Sequence, residues 1–171
     1  MKDLHKTKWL SLYRNDNGYI LAHEERCDGK IVAVLPYRTA NKGNFSHVTE
    51  FLLRKEYCPP WSETNMSESM ITGGVDNGEK PIDAAVRELW EESGFSCKAD
   101  ELQSLGWCYG SKAMDTVYYL YCVDVTDKPQ SEPVTDGGKE EAMAENYFSV
   151  SIKHCEDPLV YVCWARYCFY V

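Results

Sequence analysis

Residues 73–95, GGVDNGEKPIDAAVRELWEESGF, decide the fold. Their second half carries the marks of a helix. Pro81 suits the first helical position, where its missing N–H has no intrahelical partner to lose. Ile82, Val86, Leu89 and Trp90 recur at i, i+4, i+7 and i+8 and form one apolar stripe. Gly94 stands where a chain leaves a helix through a left-handed residue. The spacing predicts a helix over residues 81–93, entered from a loop rich in glycine (Gly73, Gly74, Gly78) that can pass close to a bound group.

The same helix carries Glu88, Glu91 and Glu92 at i, i+3 and i+4. At about 100° per residue, Glu88 and Glu92 lie roughly 40° apart, and Glu91 about 60° to the other side of Glu88. The three carboxylates share a face, opposite the side anchored by Ile82, Val86 and Leu89. Like charges at this spacing destabilise a helix standing alone, and a divalent cation is the natural compensation. Hard oxygen donors on a rigid element suit Mg²⁺ or Mn²⁺ better than zinc. Arg87 can orient one carboxylate through its planar fork. Charged helical faces are commonly just solvated, but the frame around these glutamates is unusual. Gly73, Glu79, Arg87, Glu88, Leu89, Glu91, Glu92, Gly94 and Phe95 stand in the order G-x5-E-x7-R-E-U-x-E-E-x-G-U, with U a bulky apolar residue. Chance matching of this frame is on the order of 10⁻⁸ at average residue frequencies.

This frame resembles the Nudix box and meets its nine defining positions. The resemblance implies an α/β fold, a Nudix-type α/β/α sandwich with a mixed β-sheet. It also implies metal-dependent hydrolysis of the diphosphate linkage in a nucleoside diphosphate derivative. On the family pattern, Glu88, Glu91 and Glu92 are metal ligands, with the Thr72 carbonyl as a further ligand and Glu91 acting in catalysis. Gly73 and Gly74 meet the substrate. Glu79, Arg87 and Gly94 hold the loop and helix together. The pattern also places a general base on a loop well after the box, where Glu140, Glu141 and Glu145 are the candidates and Glu141 the first choice.

Other fragments are similar to the ADP-ribose and ADP-sugar pyrophosphatase branch. They are residues 33–37 (AVLPY), residues 52–57 (LLRKEY) with Arg54 as a substrate-binding arginine, and residues 71–79. Gly110 stands where that branch carries a marker proline. The substrate this implies is ADP-ribose or a related ADP-sugar, giving AMP plus sugar phosphate. The alternatives are a nucleoside triphosphate, a dinucleoside polyphosphate, or a nucleotide sensor that does not turn over. Tyr37, Trp61, Trp107 and Tyr109 are aromatics able to stack on a base.

Outward from the box, residues 8–13 and 19–23 read as short strands about the turn Asn15–Gly18. Residues 31–37 (IVAVLPY) form a near-continuous apolar run, as for a strand buried on both faces. Residues 39–48 and 61–69 read as loops, while residues 51–54, 102–109, 116–125 and 147–150 read as strands. Residues 158–167 read as a closing helix. The whole chain, residues 1–171, reads as one domain. By analogy with the ADP-sugar branch, residues 1–25 can act as an accessory sheet or as the contact of a homodimer.

With 18 Lys+Arg against 27 Asp+Glu the net charge is −9, which argues against broad binding of nucleic acid and favours a small-molecule partner. No apolar run reaches the length of a membrane span, and residues 1–9 lack the apolar core of a secretory leader. A cytoplasmic location is therefore expected, with the eight cysteines reduced and several of them in apolar runs. No CxxC pair occurs and the four histidines are scattered, so nothing points to structural zinc.

Overall fold

The apolar run at residues 31–37 lies at the centre of the molecule. In the computed structural model, which describes residues 2–41, 47–61, 63, 66–134 and 143–170, the chain runs β1 (Lys2–Lys6), β2 (Leu10–Arg14), β3 (Ile20–Glu24), β4 (Lys30–Asn41), β5 (His47–Tyr57), β6 (Met66–Ser69), β7 (Ile71–Gly74), α1 (Pro81–Ser93), β8 (Gln103–Tyr109), β9 (Val117–Asp124), β10 (Glu145–Ser149) and α2 (Pro158–Tyr170). A single 3₁₀ turn, Ala99–Glu101, precedes β8.

Seven strands form one mixed sheet, ordered β10-β5-β4-β9-β8, with β6 on β5 and β7 on β4. Among the described strands of this sheet, only β4 and β9 pair in parallel, Lys30 opposite Val117 through Tyr37 opposite Asp124. Because side chains alternate along a strand, β4 feeds two cores. Ala33 and Leu35 join Leu120 and Cys122 of β9 under Leu159, Val160, Cys163 and Tyr167 of α2. Val32 and Val34 join Tyr121 and Val123 under Ala84, Ala85 and Leu89 of α1. Both faces are thus covered, which makes the expected α/β/α sandwich and explains why the run lacks alternation. β4 also holds the box in place, since Ile31–Val34 pair with Gly74–Ile71 of β7.

The ends of α1 agree with the sequence reading. Pro81 opens it, and Gly94 closes it at φ 75° with its N–H on the Trp90 carbonyl. A side chain at Gly94 would also collide with the Ser131 backbone. The helix's orientation differs from expectation. Its buried residues are Ala84, Ala85, Leu89 and Ser93, while Trp90 is exposed. The alanines let α1 lie close on the sheet, and this rotation turns Glu88 and Glu92 toward β7 instead of directly away from the core.

Two expected loops contain strand. Residues 39–41 and 47–48 continue the β4–β5 pairing through Thr39 opposite Thr49 and Ala40 opposite Val48. Met66–Ser69 pairs with Arg54–Tyr57; its inward positions are Ser67 and Ser69, so its period is carried by small polar residues and not by apolar ones.

β1, β2 and β3 form a separate antiparallel sheet. It is fixed to the body by Ala22 N–H on the Ala113 carbonyl (2.8 Å), by Tyr19 Oη donating to the Lys112 carbonyl (2.8 Å), and by His23 Nδ1 beside Asp115 (3.0 Å). All eight cysteines are free; Cys27, Cys122, Cys155 and Cys163 are buried, whereas Cys168 is exposed on α2. Among the described residues, no helix is long and apolar enough to cross a membrane.

Candidate active site

The site is built where β7 runs through its loop into α1, and Arg87 is its organising residue. Its Nε and Nη2 meet the two oxygens of Glu79 at 3.1 and 3.0 Å. Nη2 also donates to the Gly74 carbonyl at 2.9 Å, and Nη1 donates to Glu88 at 2.6 Å and to Glu91 at 3.1 Å. One guanidinium thus joins loop, strand end and helix, using the fork geometry that lysine lacks. The contact holds Glu79 below the usual carboxylate range, and the acidic neighbours raise Arg87 itself. Glu79 further accepts the Asp76 N–H at 3.0 Å, which folds the loop back on itself.

Glu88 lies directly over Gly73, and a Cβ at residue 73 would fall on the Glu88 carboxyl group. Glycine is needed here for close approach. Burial pushes Glu88 upward in pKa, partly offset by Arg87. Replacing Gly73 with Ala is expected to displace Glu88 and, on the metal-dependent hydrolysis that the box resemblance implies, to lower activity at least tenfold, the scale of disturbing a metal ligand's support. A Mn²⁺ titration should show weaker binding in the same variant, and unchanged Mn²⁺ affinity would show that Glu88 does not need this cradle.

Glu92 turns the other way. Its Oε2 accepts the Thr72 N–H at 3.3 Å and lies 3.9 Å from Arg54 Nε. Desolvation dominates and pushes its carboxyl up to about 8, with Arg54 opposing and Glu56 adding to the rise. Arg54 is buried: Nη1 donates to the Glu92 carbonyl at 2.9 Å and Nε lies 3.4 Å from Glu56. Arg54, expected as a substrate-binding residue, lies beside Glu92 and holds the end of α1. Asn146 Nδ2 donates to the same carbonyl at 2.7 Å.

The three box glutamates therefore divide between two cations, Glu88 and Glu91 on Arg87 and Glu92 beside Arg54. Among the described residues, no three His, Cys, Asp or Glu groups converge enough to enclose a metal ion. The donor set still suits a hard divalent cation: three carboxylates, two of them raised in pKa, beside a glycine that admits Glu88 only because it has no side chain.

Glu140 and Glu141 lie outside the described residues. Glu145 is exposed and opens β10, opposite Lys55. The chain on either side of that stretch is tied to the end of α1, with Val134 N–H on the Glu91 carbonyl at 2.8 Å and Asn146 on that of Glu92.

Sequence reasoning missed Glu56 and Arg26, which line the cleft at Thr72 and Gly73. Glu56 was within reach: two residues past Arg54 on one strand, it must share its face. Of the aromatics, Tyr37 packs on Tyr167 at 4.8 Å, and Trp107 and Tyr109 meet edge to face on β8. Trp61 alone of the four borders the cleft.

The family model for the NUDIX domain matches residues 29–153. The chain is 46% identical over 50 residues to an RNA pyrophosphohydrolase of Cereibacter sphaeroides (strain ATCC 17029), covering 29% of this chain and 26% of that protein. It is 40% identical over 50 residues to an RNA pyrophosphohydrolase of Bartonella quintana (strain Toulouse), covering 28% and 29%. The matched stretch thus spans little more than a quarter of these relatives' length.

Proposed function

The chain belongs to the Nudix family, and from that premise we propose that it is a divalent-metal-dependent pyrophosphohydrolase of a nucleoside diphosphate derivative. ADP-ribose or a related ADP-sugar is the leading substrate, with AMP and a sugar phosphate as products. The observation that carries this reading is the Arg87 junction, which sets Glu79, Glu88 and Glu91 around the Gly73–Gly74 end of β7.

Glu88, Glu91 and Glu92, with the Thr72 carbonyl, would hold Mg²⁺ or Mn²⁺. Such an ion neutralises phosphate oxygens and lowers the pKa of coordinated water. The chain's own residues supply the frame. Arg87 holds the glutamates against their mutual repulsion, Gly73 leaves room for the Glu88 carboxylate, and Arg54 holds the end of α1 beside Glu92. The tethers at Val134 and Asn146 support a role for the intervening segment as carrier of the general base, with Glu141 first in line. Replacing Glu141 with Gln is expected to lower kcat by about 10²-fold, the scale of general base catalysis, and to leave Mn²⁺ affinity unchanged. Full activity would move the base to Glu140, Glu145 or the box.

A second reading comes from the relatives named RNA pyrophosphohydrolase, which favour an RNA that carries a pyrophosphate linkage. The net charge of −9 opposes a long polyanion. A panel of ADP-ribose, NADH, dinucleoside polyphosphates, dNTPs and a 5′-triphosphorylated RNA oligonucleotide, assayed with Mg²⁺ and with Mn²⁺, decides between them. AMP plus ribose 5-phosphate is the expected product pair; pyrophosphate released from the RNA alone would favour the second reading. The exposed Trp9, Leu10, Leu12 and Ile20 on the small sheet support a self-association role for the N-terminal strands, which sedimentation of a Trp9→Ser/Leu12→Ser variant would test.

A further inference from the structure

The narrow cleft at Thr72 and Gly73, about 130 Å³, shares Trp61, Tyr118, Asp157 and Leu159 with a wider cavity of about 530 Å³. The two therefore adjoin along that shared wall, and the wider one has the size of a small-molecule site. The chemistry changes from one to the other. The narrow one touches the box and carries Arg26. The wide one is bounded by Trp61, Tyr118 and Met114, with Glu156 and Asp157 its charged residues and no lysine or arginine among the described lining residues. Thr116 also lines it; this residue is 1% exposed and its hydroxyl has no hydrogen-bond partner among the described residues.

Glu156 accepts the Glu68 N–H, and Asp157, 1% exposed, accepts the Leu159 and Met70 N–H groups; a wall of this sign disfavours phosphate. Exposed π faces favour a flat ring. We infer that the wide cavity seats the uncharged nucleobase of the substrate against Trp61 and Tyr118, while the diphosphate lies in the cleft at Gly73. This inference rests on the hydrolytic reading for the position of the diphosphate. It also accounts for Gly110. A Cβ there would come within 2.7 Å of Tyr118 Cε2, so any side chain, proline included, would push the Tyr118 ring and change the width of the seat. A glycine at this position marks a cavity shaped differently from one bordered by proline.

The test uses the full chain with ¹³C-methyl methionine, the Met114 signal being assigned through Met114→Leu. Adenosine, which has no phosphate, is expected to shift the Met114 methyl resonance in the wild type and to leave it in place in Trp61→Ala. Ribose 5-phosphate is expected to leave it unmoved. For ADP-ribose with Mg²⁺, Trp61→Ala is expected to raise KM about tenfold, the scale of one lost base–aromatic stack, with kcat within about twofold; Trp61→Phe restores KM. Trp61 is 46% exposed, so its replacement leaves the core intact. A Met114 shift caused by ribose 5-phosphate and not adenosine overturns the seat, as does a Trp61→Ala variant with unchanged KM. The two readings fail separately: an adenosine response without any hydrolysis removes the hydrolytic one alone, and hydrolysis without an adenosine response removes the seat alone.

Discussion

With saturating Mg²⁺, the Glu92→Gln variant is expected to hydrolyse substrate about 10²–10³-fold more slowly than the wild type, the loss typical of removing one group that stabilises transition-state charge. In EDTA the same variant is expected to be the more stable protein at alkaline pH. Glu92 is a carboxyl whose folded-state pKa is raised, by burial first, to about 8. Between the ordinary carboxylate value of 4.5 and about 8, the folded chain therefore holds this proton while the unfolded chain has released it. Folding stability must fall as pH rises through that window, and the full cost is present above about 8. Glutamine has no charge to desolvate. Urea unfolding in EDTA should show the variant ahead by about 2 kcal/mol at pH 8.5 and level with the wild type below pH 4.5. The figure is set below the full linkage value because the Glu92 side chain is 22% exposed and faces Arg54 at 3.9 Å. A divalent ion held by Glu92, as proposed, would reverse the sign for the wild type, since it would replace the proton and stabilise the charged form. Mg²⁺ should therefore raise the wild-type Tm more at pH 8 than at pH 5.5, and should lose most of that effect in the variant. Parallel pH profiles for the two proteins would show that Glu92 is an ordinary solvated carboxylate and would remove it from the ligand set.

The sequence made the helix of the box legible to the residue, because Pro81 and Gly94 are local signals whose physics needs no tertiary partner. The central strand was legible for a different reason: a run apolar on both faces has one comfortable location, between two covering layers. Three features escaped, each for a physical reason. β1 has all five residues exposed and so carries no burial period to detect. β6 alternates serine with methionine and glutamate, and its buried Ser69 hydroxyl finds its acceptors only on β5, at the Arg54 carbonyl and Glu56. The partner of Arg54 escaped because nothing in a strand sequence reveals that the end of a distant helix will supply it; it is Glu92, 38 positions later, whose carbonyl Arg54 holds. The candidate site was readable where residues meet within one loop and helix, as Glu79, Arg87 and Glu88 do. It was unreadable where β5, β9 and the start of α2 converge on the two adjoining cavities.

The second large effect concerns Arg87, and it separates stability from metal affinity. Replacing Arg87 with Met keeps much of its length and removes every donor. Glu79 loses both of its guanidinium contacts, Glu88 and Glu91 lose their shared cation, and the Gly74 carbonyl loses the donor at 2.9 Å. Removing one partner from a desolvated charge cluster costs much more than the pair contributed, because the remaining carboxylates stay where water reaches them poorly. The metal-free variant is expected to lose about 3 kcal/mol, at the low end of that range because the Arg87 side chain is 29% exposed. Arg87→Lys should recover only part of this loss, since a single ammonium cannot span Glu79, Gly74 and Glu88 together. Metal binding should respond in the opposite direction. Arg87 competes with any cation for Glu88 and Glu91, so its removal leaves those carboxylates more available, and Mn²⁺ affinity is expected to hold or rise while kcat falls. The fall in kcat follows from the loop, because without Arg87 nothing ties the Gly74 carbonyl to α1 and the phosphate cradle loses its register. Urea denaturation in EDTA, Mn²⁺ titration and kcat measured on the same variant therefore give three readings with three expected directions. A variant that loses Mn²⁺ affinity in proportion to kcat would mean that Arg87 shapes the ligand set itself, and that a competing cation is the wrong description of its place among the glutamates.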